Sequence, residues 1–471
     1  MAIAAQIDGD LRQACDSGVA GRRNAEHIQA DQERSMRLGW YSSLEPVERR
    51  TFWACFAGFG LDSMDSTIFS LVIPALIATL GLSHPQVGYL ATAALMGTAI
   101  GGWGAGILAD KIGRVRILQF TIVWVAVSTI AAAFADSFPV LFGIRFLQGL
   151  GYGGEAAVGG VLISEVIRPV LRGRVAAAVQ SGYALGYAVS VALLPIIASL
   201  FPEQFGWRVF FALGVVPAGL VFFIRRLVPE SGVYAEAKAA RHNGAAATPF
   251  WEIFTTRHLR RTLAAVVMAT GIFGGAYVMI TWLPTYLRTT LHLSVGSSAG
   301  YLACNILGSL VGPLLYGFLS DRLGRRPAFM TFLVLQAANV AIYLLAPIGA
   351  SVTVVLSFFL GAFQGALASG MLPTFAELFP TNVRASGQGF CLGGGRGFGS
   401  VVPATVGLLA ATLPLGTAMG VCALCAYGVA FLAAMFLPET SGTDLHEASH
   451  DRAAHAADKH GHAQRLDHER A

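Results

Sequence analysis

Apolar runs of about 20 residues recur from Phe52 to Leu437, separated by short stretches that carry most of the charge. Each run is long enough to cross a ~30 Å hydrocarbon layer as a helix. The polar faces that interrupt soluble helices and strands every few residues are missing. Twelve such spans begin near Phe52, Gln86, Val115, Val140, Val175, Val209, Leu263, Ser298, Ala328, Val352, Gly387 and Leu415. The pattern predicts an all-α membrane protein of twelve transmembrane helices, with both ends on one side because the count is even. It divides the chain into an N-terminal segment (1–50), a six-helix half (51–228), a polar central loop (229–261), a second six-helix half (262–437) and a polar tail (438–471).

Composition agrees: of 471 residues, 55% are hydrophobic and 13% charged, about half the charge of an ordinary soluble chain, where it runs near ~25%. The N-terminal segment has no apolar core followed by a small-residue cleavage site, so it does not read as a secretory signal. On the twelve-span reading, 28 of the 32 Lys and Arg residues fall in the tails and alternate loops. The exceptions are Arg145, Arg208, Arg288 and Arg396. This bias places both termini and the central loop in the cytoplasm, with the chain in the cell's inner membrane. The net charge of +5 is therefore a topology signal, with no nucleic-acid partner implied. Six cysteines show no ligand spacing with histidine and read as buried free thiols. The histidine-rich tail reads as a solvated segment, with weak metal binding as the alternative. No other metal site is expected.

The two halves repeat in parallel. Gly106-Ile-Leu-Ala-Asp110-Lys-Ile-Gly113-Arg114, between spans two and three, returns as Gly317-Phe-Leu-Ser-Asp321-Arg-Leu-Gly324-Arg325, between spans eight and nine. After span four, Glu165 and Arg172 are seven residues apart, as are Glu377 and Arg384 after span ten. Pro229-Glu-Ser answers Pro438-Glu-Thr. In the repeated loop, Gly106 and Gly317 are expected to admit a neighbouring helix closely. Asp110 and Asp321 are expected to accept charge-assisted bonds from Arg114, Arg325 or a helix N-terminus across the seam between halves, as a latch made and broken during transport. The alternative is that these basic residues serve topology alone.

The repeated G-x-L-x-D-[KR]-x-G-R loop, the Arg145-Phe-Leu-Gln148-Gly149 run and the PES/PET boundaries resemble the major facilitator superfamily, over about Phe52 to Thr440. The resemblance implies two six-helix halves, a midplane substrate site between them and rocking between inward-open and outward-open states. Gly149-Leu-Gly151-Tyr-Gly-Gly154 fits a dinucleotide fingerprint, but it lies within a lipid-length run where helix packing explains it better. No phosphate-binding G-x-x-x-x-G-K-[ST] motif occurs. The chain is expected to be no enzyme, to need no cofactor and to draw on an ion or substrate gradient.

Charged groups inside spans cost at least ~2.5–3.5 kcal/mol each on insertion scales, so they mark pathways unless they are paired away. Span one carries Asp62 and Asp65, whose three-residue spacing puts both on one helical face. Desolvation and mutual repulsion favour a proton on such a pair, making it a candidate proton carrier. Arg396 in span eleven lies at about the same depth as Asp62. Glycines are expected to leave room around its guanidinium, whose planar fork suits a substrate carboxylate. The alternative is a permanent ion pair with an aspartate. Glu155 is either a second protonation site or a structural partner. Gln148 shares its face of span four, and Tyr183, Tyr187, Tyr277, Tyr301 and Asn305 are polar groups able to line a cavity; Gln148, Tyr183 and Asn305 are taken as substrate contacts, with Asp62 and Arg396.

Asp62-Ser63-Met64-Asp65, the glycine-flanked Arg396, Gly153-Gly154-Glu155 and Trp282-Leu-Pro-Thr-Tyr286 resemble the proton symporters of aromatic acids, sialate and related organic acids. Ser63 stands where aromatic-acid porters usually have glycine. The resemblance implies that Asp62 and Asp65 serve transport and coupling, that Arg396 binds a carboxylate, and that the proton is the coupling ion for a small organic acid, in a monomer within the bilayer. A drug/proton antiporter is the alternative, disfavoured because Tyr187 follows Gly186 where those proteins have proline. A sugar porter is another, disfavoured because the glutamine pair of its seventh span is absent from Gly271 to Leu287.

Overall fold

A computed structural model of the chain describes residues 40–215, 253–379 and 384–439, with Ala218, Gly219 and Phe222. Expectations for most of the N-terminal segment, the central loop and the histidine-rich tail fall outside the described residues, as do Cys15 and the side chains of Asp110, Arg172 and Arg384. The described residues form thirteen helices and no strand. They are α1 (Pro46–Leu80), α2 (His84–Ile112), α3 (Arg114–Ala133), α4 (Phe138–Val166), α5 (Pro169–Leu200), α6 (Glu203–Leu213), α7 (Thr256–Thr289), α8 (Val295–Leu323), α9 (Arg325–Leu345), α10 (Ala350–Leu378), α11 (Arg384–Gly399), α12 (Val402–Leu409) and α13 (Leu415–Met435).

Nine of these helices are long and apolar enough to cross a membrane. The other four, α4, α6 and the α11–α12 pair, stand where the sequence places spans four, six and eleven. Large side chains such as Leu200, Leu314, Phe120 and Phe134 face outward, which suits a multi-pass membrane protein whose surroundings are lipid.

The repeat in sequence is a repeat in packing. Within α1–α6 the contacts join α1 to α5, α2 to α4, α3 to α4 and α3 to α6; within α7–α13 they join α7 to α11, α8 to α10, α9 to α10 and α9 to α13. Both repeated loops turn on a glycine in the left-handed region, Gly113 at φ 122° and Gly324 at φ 96°. Residues with a Cβ seldom adopt that backbone, which explains the second glycine of the motif. The glycine run of α4 is a packing surface: a Cβ on Gly153 would stand 1.9 Å from the Thr98 carbonyl of α2.

The two helix groups meet most tightly on the side away from the chain ends. There α2 opens with a capping box, in which Ser83 Oγ accepts from Gln86 N at 3.4 Å and Gln86 Oε1 accepts from Ser83 N at 2.9 Å. His84, at the start of α2, stacks on Trp282 of α7 at 6.0 Å. Trp282 Nε1 donates to the Pro403 carbonyl at 3.2 Å. The break between α11 and α12 leaves the Ser400 carbonyl to accept from Thr92 Oγ1 of α2 at 2.8 Å. This contact runs along α2 as far as Trp103, whose Nε1 would lie 3.2 Å from a Cβ on Gly393. One turn further, Gly106 has nothing within 4 Å of a built Cβ, and neither has Gly317. Among the described residues, no neighbouring helix approaches these two glycines closely in this structure.

Candidate functional site

Asp62 and Asp65 share the inner face of α1, Asp62 half-buried and Asp65 1% exposed. Both oxygens of Asp65 accept hydrogen bonds. Thr129 Oγ1 of α3 donates to Oδ1 at 3.0 Å, and Gln148 Nε2 of α4 donates to Oδ2 at 3.2 Å. Gln148 Nε2 also donates to Thr129 Oγ1 at 2.9 Å, and Gln148 Oε1 accepts from Arg145 Nη1 at 2.8 Å. Arg145 Nη1 stands 3.8 Å from Asp65 Oδ2, and its guanidinium lies over the Phe69 ring at 4.1 Å. A three-residue spacing puts Arg145 with Gln148 on one face of α4, and a four-residue spacing puts Asp65 with Phe69 on one face of α1. Three helices thus converge on one buried ion pair.

A cavity of about 470 Å³, counting its mouth, opens beside this pair between α1, α2, α4, α5 and α7. Arg145 lines it, with Tyr152, Tyr183 and Tyr277 among its neighbours. Arg396 reaches the same region from α11: its guanidinium lies 5.2 Å from the Phe273 ring centroid, and Phe273 stacks on Tyr277 at 5.9 Å. The structure therefore brings Asp62, Asp65, Gln148, Tyr183, Arg145 and Arg396 to one region. Two of the glycines around Arg396 face α7 closely: a Cβ on Gly395 would clash with Ala269, and one on Gly399 would stand 2.9 Å from Gly274 N. They let α11 press on α7.

Other expected residues lie elsewhere. Glu155 is 3% exposed, and its Oε2 accepts from Thr121 Oγ1 at 3.5 Å, two turns along α4 from Gln148. Asn305 does not line the cavity, because its Nδ2 donates to the Ser357 carbonyl at 3.3 Å and ties α8 to α10. Arg114 reaches Glu165 Oε1 at 3.1 Å, and Arg325 reaches Glu377 Oε1 at 3.3 Å. Each pair joins the start of one helix to the end of another in its own group. Asp321 takes a secondary contact, 3.4 Å from Arg325 Nη1, while the Glu439 carboxylate accepts from Arg325 N at 2.8 Å and Arg326 N at 3.1 Å.

Thr129, Phe69, Tyr152 and Phe273 went unremarked in the sequence. Tyr152 sits inside the glycine run read only as packing, and the others belong to no motif. A polar residue in an apolar span, facing a charged one two helices away, gives no signal in one sequence.

The sequence profile of the Major Facilitator Superfamily matches residues 55–313, and that of the Sugar (and other) transporter family matches residues 234–451. A probable 4-methylmuconolactone transporter of Cupriavidus pinatubonensis is 39% identical over 86% of this chain and 94% of its own length. A cis,cis-muconate transport protein of Acinetobacter baylyi is 27% identical over 82% of this chain and 94% of its own. The inward-open structure of the xylose transporter XylE from E. coli matches with a TM-score of 0.67 at 18% identity, over 84% of this chain and 98% of that one, a likeness of fold. With its helical architecture, its duplicated loops and these relatives, the chain belongs to the major facilitator superfamily and is a membrane transporter, not an enzyme.

Proposed function

We propose that this protein is a proton-coupled symporter that takes up a small organic acid anion by alternating access between two six-helix halves. The reading counts twelve spans, with α11 and α12 as one broken span and α6 opening the sixth. The halves are 51–228 and 262–437, and the termini with the 229–261 loop face the cytoplasm of the inner membrane. On that topology the tightly packed side is the outer one, and this conformation faces inward. The transporter acts as a monomer in the bilayer, with the proton as coupling ion and no other cofactor.

One observation carries the reading: a carboxylate and a guanidinium, Asp65 and Arg145, are paired at membrane depth beside the cavity between the two helix groups. A buried carboxylate in low dielectric exchanges protons readily when its cationic partner is drawn off. Arg396 supplies the fixed fork for a substrate carboxylate, and Asp62 beside Tyr183 supplies a second exchangeable charge. The organic-acid class is supported by the names of the relatives, among them a sialic acid transporter and a 3-(3-hydroxy-phenyl)propionate transporter of E. coli. Gating falls to the two loop clusters, Arg114 with Glu165 and Arg325 with Glu377, Asp321 and Glu439. Arg172 and Arg384 belong to the same two loops.

A sugar porter shares the fold and one profile, but a neutral sugar gives Arg396 no task. A drug antiporter shares the fold as well. Uptake of radiolabelled organic acids into energised vesicles tests the choice. Accumulation that collapses on adding a proton uncoupler is the expected result, and accumulation indifferent to the uncoupler would end the symport reading.

A further inference from the structure

Arg145 is under-satisfied for a buried cation. A guanidinium offers five N–H donors, and this side chain belongs to a residue 3% exposed. Its Nη1 serves Gln148 and stands 3.8 Å from Asp65, while its Nε has no hydrogen-bond partner. Asp65 does not need more from it, since Thr129 and Gln148 already serve both carboxylate oxygens. The hydroxyl of Tyr152 is a second buried group without a partner. Tyr152 is two turns beyond Arg145 on the same face of α4, and both line the cavity. Buried donors left unmade are costly, so two in one cavity point to an acceptor that arrives with the ligand.

The cavity has a second positive pole. Tyr183 and Tyr277 line it, and the Arg396 guanidinium lies over the Phe273 ring that stacks on Tyr277. Arg145 of α4 thus lines the cavity itself, and Arg396 of α11 reaches its Tyr277 wall through Phe273. Asp65 of α1 pairs with Arg145, and Asp62 lies one turn back on the same helix.

We propose that the cavity takes a short, flat dicarboxylate, with one carboxylate on Arg396 and the other on Arg145 near Tyr152, the Arg145 end filling when Asp65 has taken up a proton. The proposal rests on the organic-acid reading above and names the substrate class. Without ligand, Arg145 and Asp65 cancel. A second carboxylate brings an uncompensated negative charge into a low dielectric, and one proton on Asp65 removes it. The charged and titratable groups around this end are Arg145 and Tyr152 from α4, Tyr183 from α5 and Tyr277 from α7. Asp62 lies one turn back on α1, and Glu155 lies further along α4 against Thr121.

Binding to the purified full-length transporter of hexa-2,4-dienedioate and hexa-2,4-dienoate, which share a carbon skeleton and differ by one carboxylate, tests the proposal. The wild type should prefer the diacid by ~30-fold or more near pH 6, the range for a charge-paired group in a desolvated site. That preference should shrink towards pH 8. In Asp65→Asn it should persist at both pH values, and Tyr152→Phe should lower it several-fold. Arg145→Gln alone leaves Asp65 uncompensated and risks misfolding, so the double variant Asp65→Asn/Arg145→Gln, neutral at this position, is the stronger arm. It should still bind the monoacid and lose the diacid preference. Equal affinity for the two acids in the wild type, or a preference that survives the double variant, would overturn the second subsite while monoacid binding dependent on Arg396 leaves the organic-acid reading standing. A wild type that binds neither acid removes that reading and the subsite with it.

Discussion

Helices α1–α6 and α7–α13 are packed on one plan but filled with different chemistry. In α1–α6 the buried polar network is charged, with Asp65 and Arg145 bridged by Gln148 and Thr129. In α7–α13 the buried network is neutral. Tyr427 donates to Gln364 Oε1 at 2.7 Å, and Gln336 Nε2 donates to the Tyr427 hydroxyl at 3.2 Å, joining α9, α10 and α13. Amides and phenols do not exchange protons near neutral pH, whereas a carboxylate does. The loop clusters, by contrast, are duplicated, with Arg114–Glu165 answering Arg325–Glu377. Machinery that opens and closes the protein is therefore present twice, and machinery fitted to hold a proton is concentrated in the first group.

The largest effect that separates the two groups is expected at Arg145. Arg145→Gln leaves a carboxylate buried without its cation, a change that costs roughly 3–5 kcal/mol. Thermal unfolding in detergent should show most of that loss recovered in the double variant with Asp65→Asn; no recovery would mean that the two side chains are not an energetic pair.

At the substrate end, Arg396→Ala should weaken acid binding by about 30-fold to several-thousand-fold, the equivalent of ~2–5 kcal/mol. Arg396→Lys should also weaken it, because a flexible ammonium does not replace a bidentate fork. Equal loss of affinity for an acid and its neutral amide on Arg396→Ala would show that this arginine supports the fold instead.

Where the groups share a plan, mutations should cost the same. A Cβ on Gly153 meets Thr98 O at 1.9 Å, and one on Gly308 meets Phe358 O at 1.9 Å. Gly153→Ala and Gly308→Ala should each destabilise by roughly 1–3 kcal/mol through forced separation of α2 from α4 and of α8 from α10. A large difference between their melting temperatures would break the equivalence. The smallest effect is expected at Tyr427→Phe, which removes one neutral hydrogen bond worth about 1 kcal/mol and should leave uphill uptake intact. Lost accumulation at normal expression would bring the neutral network into coupling.

What could be read beforehand follows from the range of each signal. Hydrophobic runs gave the helical membrane architecture, since span length depends on local composition alone. Asp62 and Asp65 were legible as one face because three residues make nearly a turn. Arg114 was legible as a charge in a repeated loop, but its partner Glu165 lies 51 residues away, and no spacing within the motif points there. Whether a neighbour approaches Gly106 and Gly317 depends on how the two groups are tilted, which one sequence does not encode. Thr129 and Tyr152 matter through the helices they face, and only packing reveals them.

The most direct test of the account is accumulation of a bound organic acid in proteoliposomes under an imposed pH gradient, with counterflow measured in the same preparation. Asp65→Asn keeps the shape of the side chain and cannot carry a proton. The account predicts that this variant exchanges substrate in counterflow yet fails to accumulate it, while the wild type does both. Uphill accumulation by Asp65→Asn at wild-type levels would contradict the assignment of proton coupling to the buried pair in α1 and α4.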